Sequence, residues 1–537
     1  MKCFASLVLC VGCATLLCGC PSAWYNEQVQ IDDGLCGPIL SGTEGVSFFD
    51  WIKGSGTPKP VFKPGELRPY KVHQQYYALN SPSCGAIVCD YYNENEQAWK
   101  TFRIADFNSL WRDESFWVLD SCADFFDDGT MAVAMVFGRS YETEYAGWYK
   151  RQYYVAVTTN QHDLWGVGIQ PLSLYFADLP ETSNDLFNPA DVAWGYSPGS
   201  CWIYSDQAVS VDGLDQLNTL FSPRVRMKID GECMYMAVSF PATLPSDTPA
   251  PEGSPSGCEY EYNVAGAQRV LAKLVRQSNG EFQEQSWGTW GVSCGEVNPY
   301  APLSGHEFDL QMDFIRSVTG DINKVAVIGS NSTSCLYQEF ENSNSFPLVY
   351  ENEFVLPREL YPWCQVALAA HPSGVGVAIG GLRYGATANA TDYDMYAYYT
   401  QYDGSNWTSF VDIGQINVGS SESPLTLQNK DLHLGDLIVN PGDQSFALVV
   451  DVVSGNAGLM VAPTTTFLLR KTWGSGWYVE SHKYIANNRY CVPEKYRSRA
   501  CASPAFSPYR TREWVFCYYG DKDSEQDVYA VAVEPTL

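Results

Sequence analysis

Gly291-Val292-Ser293-Cys294-Gly295 has the G-x-S-x-G spacing of a nucleophile elbow, in which a strained strand-to-helix turn lifts a serine hydroxyl toward an acyl carbon. The residues that follow, Glu296-Val297-Asn298-Pro299, do not start a helix, so a strand end or loop is expected there instead. Asp521, Asp523, Glu525 and Asp527 alternate along one segment and could turn several hard oxygens toward one Ca²⁺. Gln526 stands where an EF-hand-like loop needs glycine, and a solvated hairpin tip is the competing reading. Asp392, Asp394 and Asp403 form a weaker set. The histidines (His73, His162, His306, His371, His433 and His482) show neither H-E-x-x-H nor an i, i+2 metal pair. Glycoside hydrolysis needs two carboxyl groups close together in space, and among 61 acids the sequence nominates no pair. Tyr149, Tyr153 and Tyr154, and Tyr396, Tyr398, Tyr399 and Tyr402, could stack on sugars, but their alternation in strand-like segments favours packing as core.

Composition narrows the classes. The formal charge is -28, which argues against nucleic acid and against an electrostatic hold on anionic lipid, since both need clustered Lys and Arg. Charged residues make up 18% and aromatics 14%, a folding composition rather than a disordered one. The cysteines downstream of Cys20 include no C-x-x-C pair, so neither a zinc site nor a thioredoxin-like motif is supported. Disulfides are their expected use in an oxidising compartment, with Cys84/Cys89 and Cys491/Cys501 as candidate local staples and buried thiols as the alternative.

The N-terminus supplies the address. Lys2 precedes an uncharged run, Phe4 to Leu17, too short to span a bilayer comfortably. It ends in Leu17-Cys18-Gly19-Cys20. This resembles the lipobox of bacterial lipoproteins, with Cys18 where Ala or Ser is usual. The resemblance covers the first twenty residues and implies cleavage before Cys20, acylation of its thiol, and attachment to the membrane through lipid. Pro21 stands where Asp would retain such a protein at the inner membrane, which implies outer-membrane sorting, facing periplasm or cell surface. The alternative is an ordinary secretory signal cut near Ala23. Sequons at Asn331, Asn389 and Asn406 matter only in a eukaryote, against which the lipobox argues.

Residues 1–19 are thus read as signal peptide and 20–69 as a Gly- and Pro-rich tether with a possible ring-closing strand. Residues 70–537 read as all β. A module recurs: an apolar strand, a Pro/Gly/Asp turn, a second apolar strand, a variable loop, an alternating aromatic strand, a polar turn and a Trp. The clearest copy runs from Gln365 through His371-Pro372-Ser373-Gly374 to Trp407. Further copies turn at Asp127-Asp128-Gly129, Asp230-Gly231-Glu232 and Asn440-Pro441-Gly442-Asp443, and weaker ones lie near Pro82, Pro198, Asp321 and Pro508. One four-stranded sheet cannot bury both faces, whereas a ring of them buries all, so the repeat resembles a β-propeller of seven or eight blades. The segment after Phe506 supplies only three strands, and a strand from Val46 to Tyr77 is expected to complete the last blade. Tandem β-sandwiches are the alternative fold. No Asp box, WD dipeptide or kelch signature recurs, so no propeller family is assigned.

The functional expectation is a non-enzymatic, membrane-anchored scaffold binding an unidentified protein or glycan through loops such as Pro241 to Tyr262. The alternatives are a glycan hydrolase or lyase using carboxylates in the central channel, and a structural envelope protein held by disulfides. No cofactor is expected beyond the weak Ca²⁺ reading.

Overall fold

The computed structural model describes residues 28–32, 60–65, 70–76, 85–93, 95, 98–106, 116–142, 148–159, 170–171, 203–204, 224–249, 260–278, 282–293, 309–330, 334–357, 364–384, 393–416, 431–440, 443–453, 464–479, 486–488, 502–506, 513–520 and 526–533. Among them the regular structure is almost wholly β, in seven antiparallel sheets taken in chain order.

Strand β1 (Gln28–Asp32) precedes the first sheet. Blade 1 is β2 (Pro60–Val61), β3 (Tyr70–Tyr76), β4 (Gly85–Asn93) and β5 (Ala98–Asp106). Blade 2 is β6 (Phe116–Phe125), β7 (Met131–Glu142) and β8 (Trp148–Thr159), with the short β9 (Gln170–Pro171) and β10 (Ile203–Tyr204) both on β8. Blade 3 is β11 (Arg224–Asp230), β12 (Cys233–Pro249), β13 (Tyr260–Arg276) and β14 (Phe282–Ser293). Blade 4 is β15 (Asp309–Arg316), β16 (Ile322–Ser330), β17 (Ser334–Glu341) and β18 (Leu348–Val355). Blade 5 is β19 (Cys364–His371), β20 (Gly374–Tyr384), β21 (Tyr393–Tyr402) and β22 (Val411–Asp412). Blade 6 is β23 (Asp431–Val439), β24 (Phe446–Val453) and β25 (Thr464–Lys471), with β26 (Tyr478–Val479) and β27 (Ala486–Asn488) both on β25. Blade 7 is β28 (Ala502–Phe506), β29 (Glu513–Gly520) and β30 (Gln526–Val533), completed on its outer edge by β1.

The first strands of successive blades touch one another in order from β6 through β11, β15, β19 and β23 to β28, and β2 touches both β28 and β6. The sheets therefore close into a seven-bladed β-propeller, and tandem sandwiches are excluded. A sandwich pairs each sheet with one partner, whereas here each sheet packs against two.

Period-2 alternation shows how the sequence demands this. In β19, Val366 and Leu368 join a core with Ala326, Ile328 and Tyr337 of blade 4. Ala367 and Ala369 point the other way, into a core with Leu432, Leu434 and Phe446 of blade 6. Blades 3 and 4 share a third core, built on Tyr235, Leu271, Met312 and Phe340. A strand buried on both faces reads as a continuous apolar run, which is why Val366–Ala370 and Ala447–Val450 look as they do. The β19–β20 turn is tight enough to need glycine. Gly374 has φ +151°, and a Cβ there would lie 1.9 Å from the Tyr402 carbonyl oxygen.

Two expectations about the ring change. The closing strand is Gln28–Asp32, upstream of the Val46 to Tyr77 window, and Pro60–Val61 is already the innermost strand of blade 1. The turns near Pro82 and Pro198 do not open blades: the first lies between β3 and β4, the second before β10 on the outer edge of blade 2. Removing them leaves six of the eight expected first hairpins, and β2–β3 of blade 1, which no expected turn marked, is the seventh. The long step from Gly231 to Asp321 reflects the length of β12 and β13, 17 residues each. The run Ala265 to Val275 is strand, within β13. No helix among the described residues is long and apolar enough to cross a membrane.

Candidate site at the axis of the ring

The innermost strand of a blade is a sheet edge: half its N–H groups have no strand to pair with. Aspartates on β6 and β15 satisfy them, within their own strand and across to the next blade. Asp120 Oδ2 accepts from Val225 N at 3.0 Å, and Asp124 Oδ2 from Ile229 N at 2.8 Å. The pattern repeats from blade 4 to blade 5, where Asp309 Oδ2 accepts from Val366 N at 3.1 Å and Asp313 Oδ2 from Ala370 N at 2.7 Å. The second oxygens of Asp124, Asp309 and Asp313 each accept from the following residue's own N–H. Both aspartate pairs are four residues apart, and so are the amides they meet. Period 2 keeps all of these groups on one edge.

Blade 3, between the two acidic strands, supplies cations. Arg226 donates from Nη1 to Asp120 Oδ2 at 2.6 Å and from Nη2 to Asp309 Oδ1 at 3.0 Å. All three side chains are buried. Burial disfavours the Arg226 charge, but the two carboxylates more than offset it and raise its pKa. Two residues along β11, Lys228 forms an ion pair with Asp313. This second layer reaches water: the Lys228 side chain is 39% exposed and that of Asp313 17%. Burial works against the Lys228 ammonium, yet Asp313, then Asp124 and Asp436, hold its pKa above the ordinary lysine value. Burial pushes the Asp124 carboxyl up, against the N–H groups of Ile229 and Phe125 and the nearby Lys228 charge. Asp436 sits at a register shift in β23, is buried, and accepts from Leu437 N at 2.9 Å. A carboxyl whose pKa is raised by burial, an ammonium and an ion-paired carboxylate thus share one layer.

Sequence reasoning missed every one of these residues. The available signal was a charge placed inside an apolar strand, as in Asp120-Ser121-Cys122-Ala123-Asp124 and Asp309-Leu310-Gln311-Met312-Asp313.

The residues singled out from sequence fall elsewhere. Gly291, Val292 and Ser293 end β14, paired with Gln268, Ala267 and Gly266, so the G-x-S-x-G segment runs out of a strand as expected. Cys20, Asp521, Asp523, Glu525, Cys84, Cys491 and Cys501 lie outside the described residues. Asp527 is in β30 opposite Tyr519, and Cys89 is buried in β4. Among the described residues no group of His, Cys, Asp or Glu converges as a metal site. Asp403 is an exposed turn residue whose Oδ1 accepts from Ser405 N and Asn406 N, and these donors lower its pKa. His371 is buried and stacks on Trp473 at 4.7 Å between ring centroids. Tyr398, Tyr399 and Tyr402 are buried between blades, as their alternation predicts.

No protein-family model and no curated protein matches the chain. Among solved structures it is similar to the NanB sialidase of Streptococcus pneumoniae, at 11% identity over 90% of this chain and 68% of that one, with a TM-score of 0.38. It is also similar to the alpha-L-arabinofuranosidase Arb93A of Fusarium graminearum, at 9% identity over 90% and 98% of the two chains, TM-score 0.34. A third is the intramolecular trans-sialidase of Ruminococcus gnavus, at 9% identity over 90% and 95%, TM-score 0.36. These three are enzymes by name, and the expectation of a non-enzymatic binding scaffold is corrected here. That expectation rested on the lack of a catalytic constellation, and the axis of the ring holds carboxyl groups and an ammonium group side by side.

Proposed function

We propose that the protein is a glycan-processing hydrolase whose carboxyl groups lie at the axis of the propeller, in the layer of Asp124, Lys228 and Asp313. The observation that carries this reading is the unequal setting of two aspartates around one ammonium. Asp124 has its pKa raised by burial, which suits a general acid that protonates the leaving glycosidic oxygen. Asp313 is ion-paired with Lys228, which suits the ionised partner that activates water or attacks the anomeric carbon. Lys228 fixes Asp313 and faces the charge that develops on the sugar's oxygens. The Asp120–Arg226–Asp309 layer ties blades 2, 3 and 4 together beside it.

The test is a mixed-glycan screen reading released reducing ends, with purified protein and its Asp124→Asn and Asp313→Asn variants. Turnover lost in both, with thermal unfolding still cooperative, supports the assignment. Full turnover in Asp124→Asn, or none by folded wild-type protein on any glycan class, removes it.

The lipobox-like Leu17-Cys18-Gly19-Cys20 supports a further part of the proposal, that the enzyme is held in the cell envelope by lipid on Cys20. Cys20→Ser should move the protein from the membrane fraction to the soluble one and abolish metabolic labelling with palmitate.

A further inference from the structure

The strand that closes the ring lies close in sequence to Cys20. Strand β1 (Gln28–Asp32) is the outermost strand of blade 7, paired antiparallel with β30 from Gln28 opposite Val531 to Asp32 opposite Val528. It also touches β5, the last strand of blade 1, so it sits at the rim where the last blade meets the first. Cys20 is eight positions before Gln28. Eight residues reach at most about 28 Å, whatever path they take. Pro60, where blade 1 begins, is forty positions from Cys20, a reach of up to about 140 Å. Pairing of β1 with β30 therefore shortens the greatest distance between Cys20 and the ring about fivefold.

Charge supplies no second hold on a bilayer. The chain carries a formal charge of -28, and attraction to anionic lipid needs clustered Lys and Arg. The short link at the rim then sets the distance, and the edges of the ring differ in how far it lets them go. Three strand spacings of about 4.8 Å separate the inner and outer strands of a blade, so outer edges on opposite sides of the ring lie more than about 28 Å apart. In a ring of seven, blade 4 stands opposite the joint of blades 7 and 1.

We infer that β1 is a membrane tie as well as a ring closure: it holds the joint of blades 7 and 1 near the bilayer and leaves blade 4 facing away from it. The inference rests on the lipid on Cys20 proposed above and is independent of the hydrolase reading. It is tested with the full mature chain, carrying its lipid, in vesicles of phosphatidylethanolamine and phosphatidylglycerol that hold an acceptor dye. A fluorescent amino acid replaces Asn95, exposed in the β4–β5 turn of blade 1, or Val355, 86% exposed on the outer strand of blade 4. Energy transfer from position 95 should exceed that from position 355 about twofold or more. A flexible spacer of about twenty residues inserted after Pro21 keeps every strand, so it should lower transfer from position 95 about twofold and leave the melting temperature unchanged. Val29→Pro/Gln30→Pro removes two consecutive strand N–H groups, one of which faces β30. It should lower transfer in the same way and the melting temperature as well, with palmitate labelling unchanged. Equal transfer from the two positions, transfer that the spacer leaves unchanged, or a double-proline variant that keeps both transfer and melting temperature overturns the inference. Cys20 without palmitate takes away the anchor and this inference with it. Cys20 with palmitate and equal transfer from both positions removes this inference alone.

Discussion

Two layers of charge surround the axis, four residues apart on β6 and β15 and two apart on β11, and they differ in what water can reach. Asp120, Arg226 and Asp309 keep at most 11% of their side chains exposed and pair with one another, whereas Lys228 and Asp313 keep 39% and 17% in solvent. A buried ion triad is costly to form and far costlier to break on one side, so its natural role is to fix geometry. A half-open layer with the same residue types can exchange protons and meet a substrate. One motif, an aspartate pair at i and i+4, thus serves as a clamp at its first position and as candidate machinery at its second.

The largest effect should come from breaking the clamp. Arg226→Met leaves Asp120 and Asp309 buried without their shared cation, and should destabilise the ring by about 3–5 kcal/mol, read from the denaturant midpoint. Equal destabilisation by Lys228→Met would erase the distinction between the layers. Asp124→Asn should act the other way round. Turnover should fall by about 10²–10⁴-fold, the usual worth of a general acid, while the denaturant midpoint moves little.

A pH titration sharpens the contrast. The folded-state pKa of Asp124 lies above the ordinary 3.8, so the folded protein takes up that proton first. Its contribution to stability therefore rises as pH falls through the raised value toward 3.8. Asp128, outside the axis, is the opposite case. Burial opposes its charge, but hydrogen bonds from Arg276 and Thr130 lower its pKa below 3.8. Its contribution is complete above 3.8 and is lost as pH falls through the lowered value. Melting temperatures against pH should show slopes of opposite sign removed by Asp124→Asn and Asp128→Asn. Slopes of the same sign would contradict the assignment. The smallest effect is expected away from both layers. Trp407→Phe keeps the ring stacked near Tyr402 and loses the 3.0 Å bond from Nε1 to Tyr350 Oη, costing about 1 kcal/mol with turnover unchanged.

Much of the architecture was legible from residue order. The turns at Gly129, Gly231 and Gly374, and the apolar runs that follow them, fall where the first hairpins of blades 2, 3 and 5 form. Pro82 and Pro198 misled because a proline-rich turn looks the same between any two strands; only pairing tells an inner hairpin from an outer one. The ring-closing strand was placed too late because Gln28–Asp32 is short and polar, and earns its strand state from β30 rather than from its own pattern. The axial site was unreadable for a related reason. Asp120 and Asp309 are 189 positions apart, and Arg226 pairs with both at one centre.

The sequence by itself determined the all-β character, the repeat and the burial of alternate aromatics, because these follow from side-chain period and turn chemistry within a few residues. It also carried the acidic balance, a formal charge of -28. Only the tertiary structure decided the number of blades, which strand closes the ring, and which few of 61 acids meet at the axis. Those depend on contacts between residues far apart in the chain, and on which backbone N–H groups are left at a sheet edge once every strand has found its neighbour.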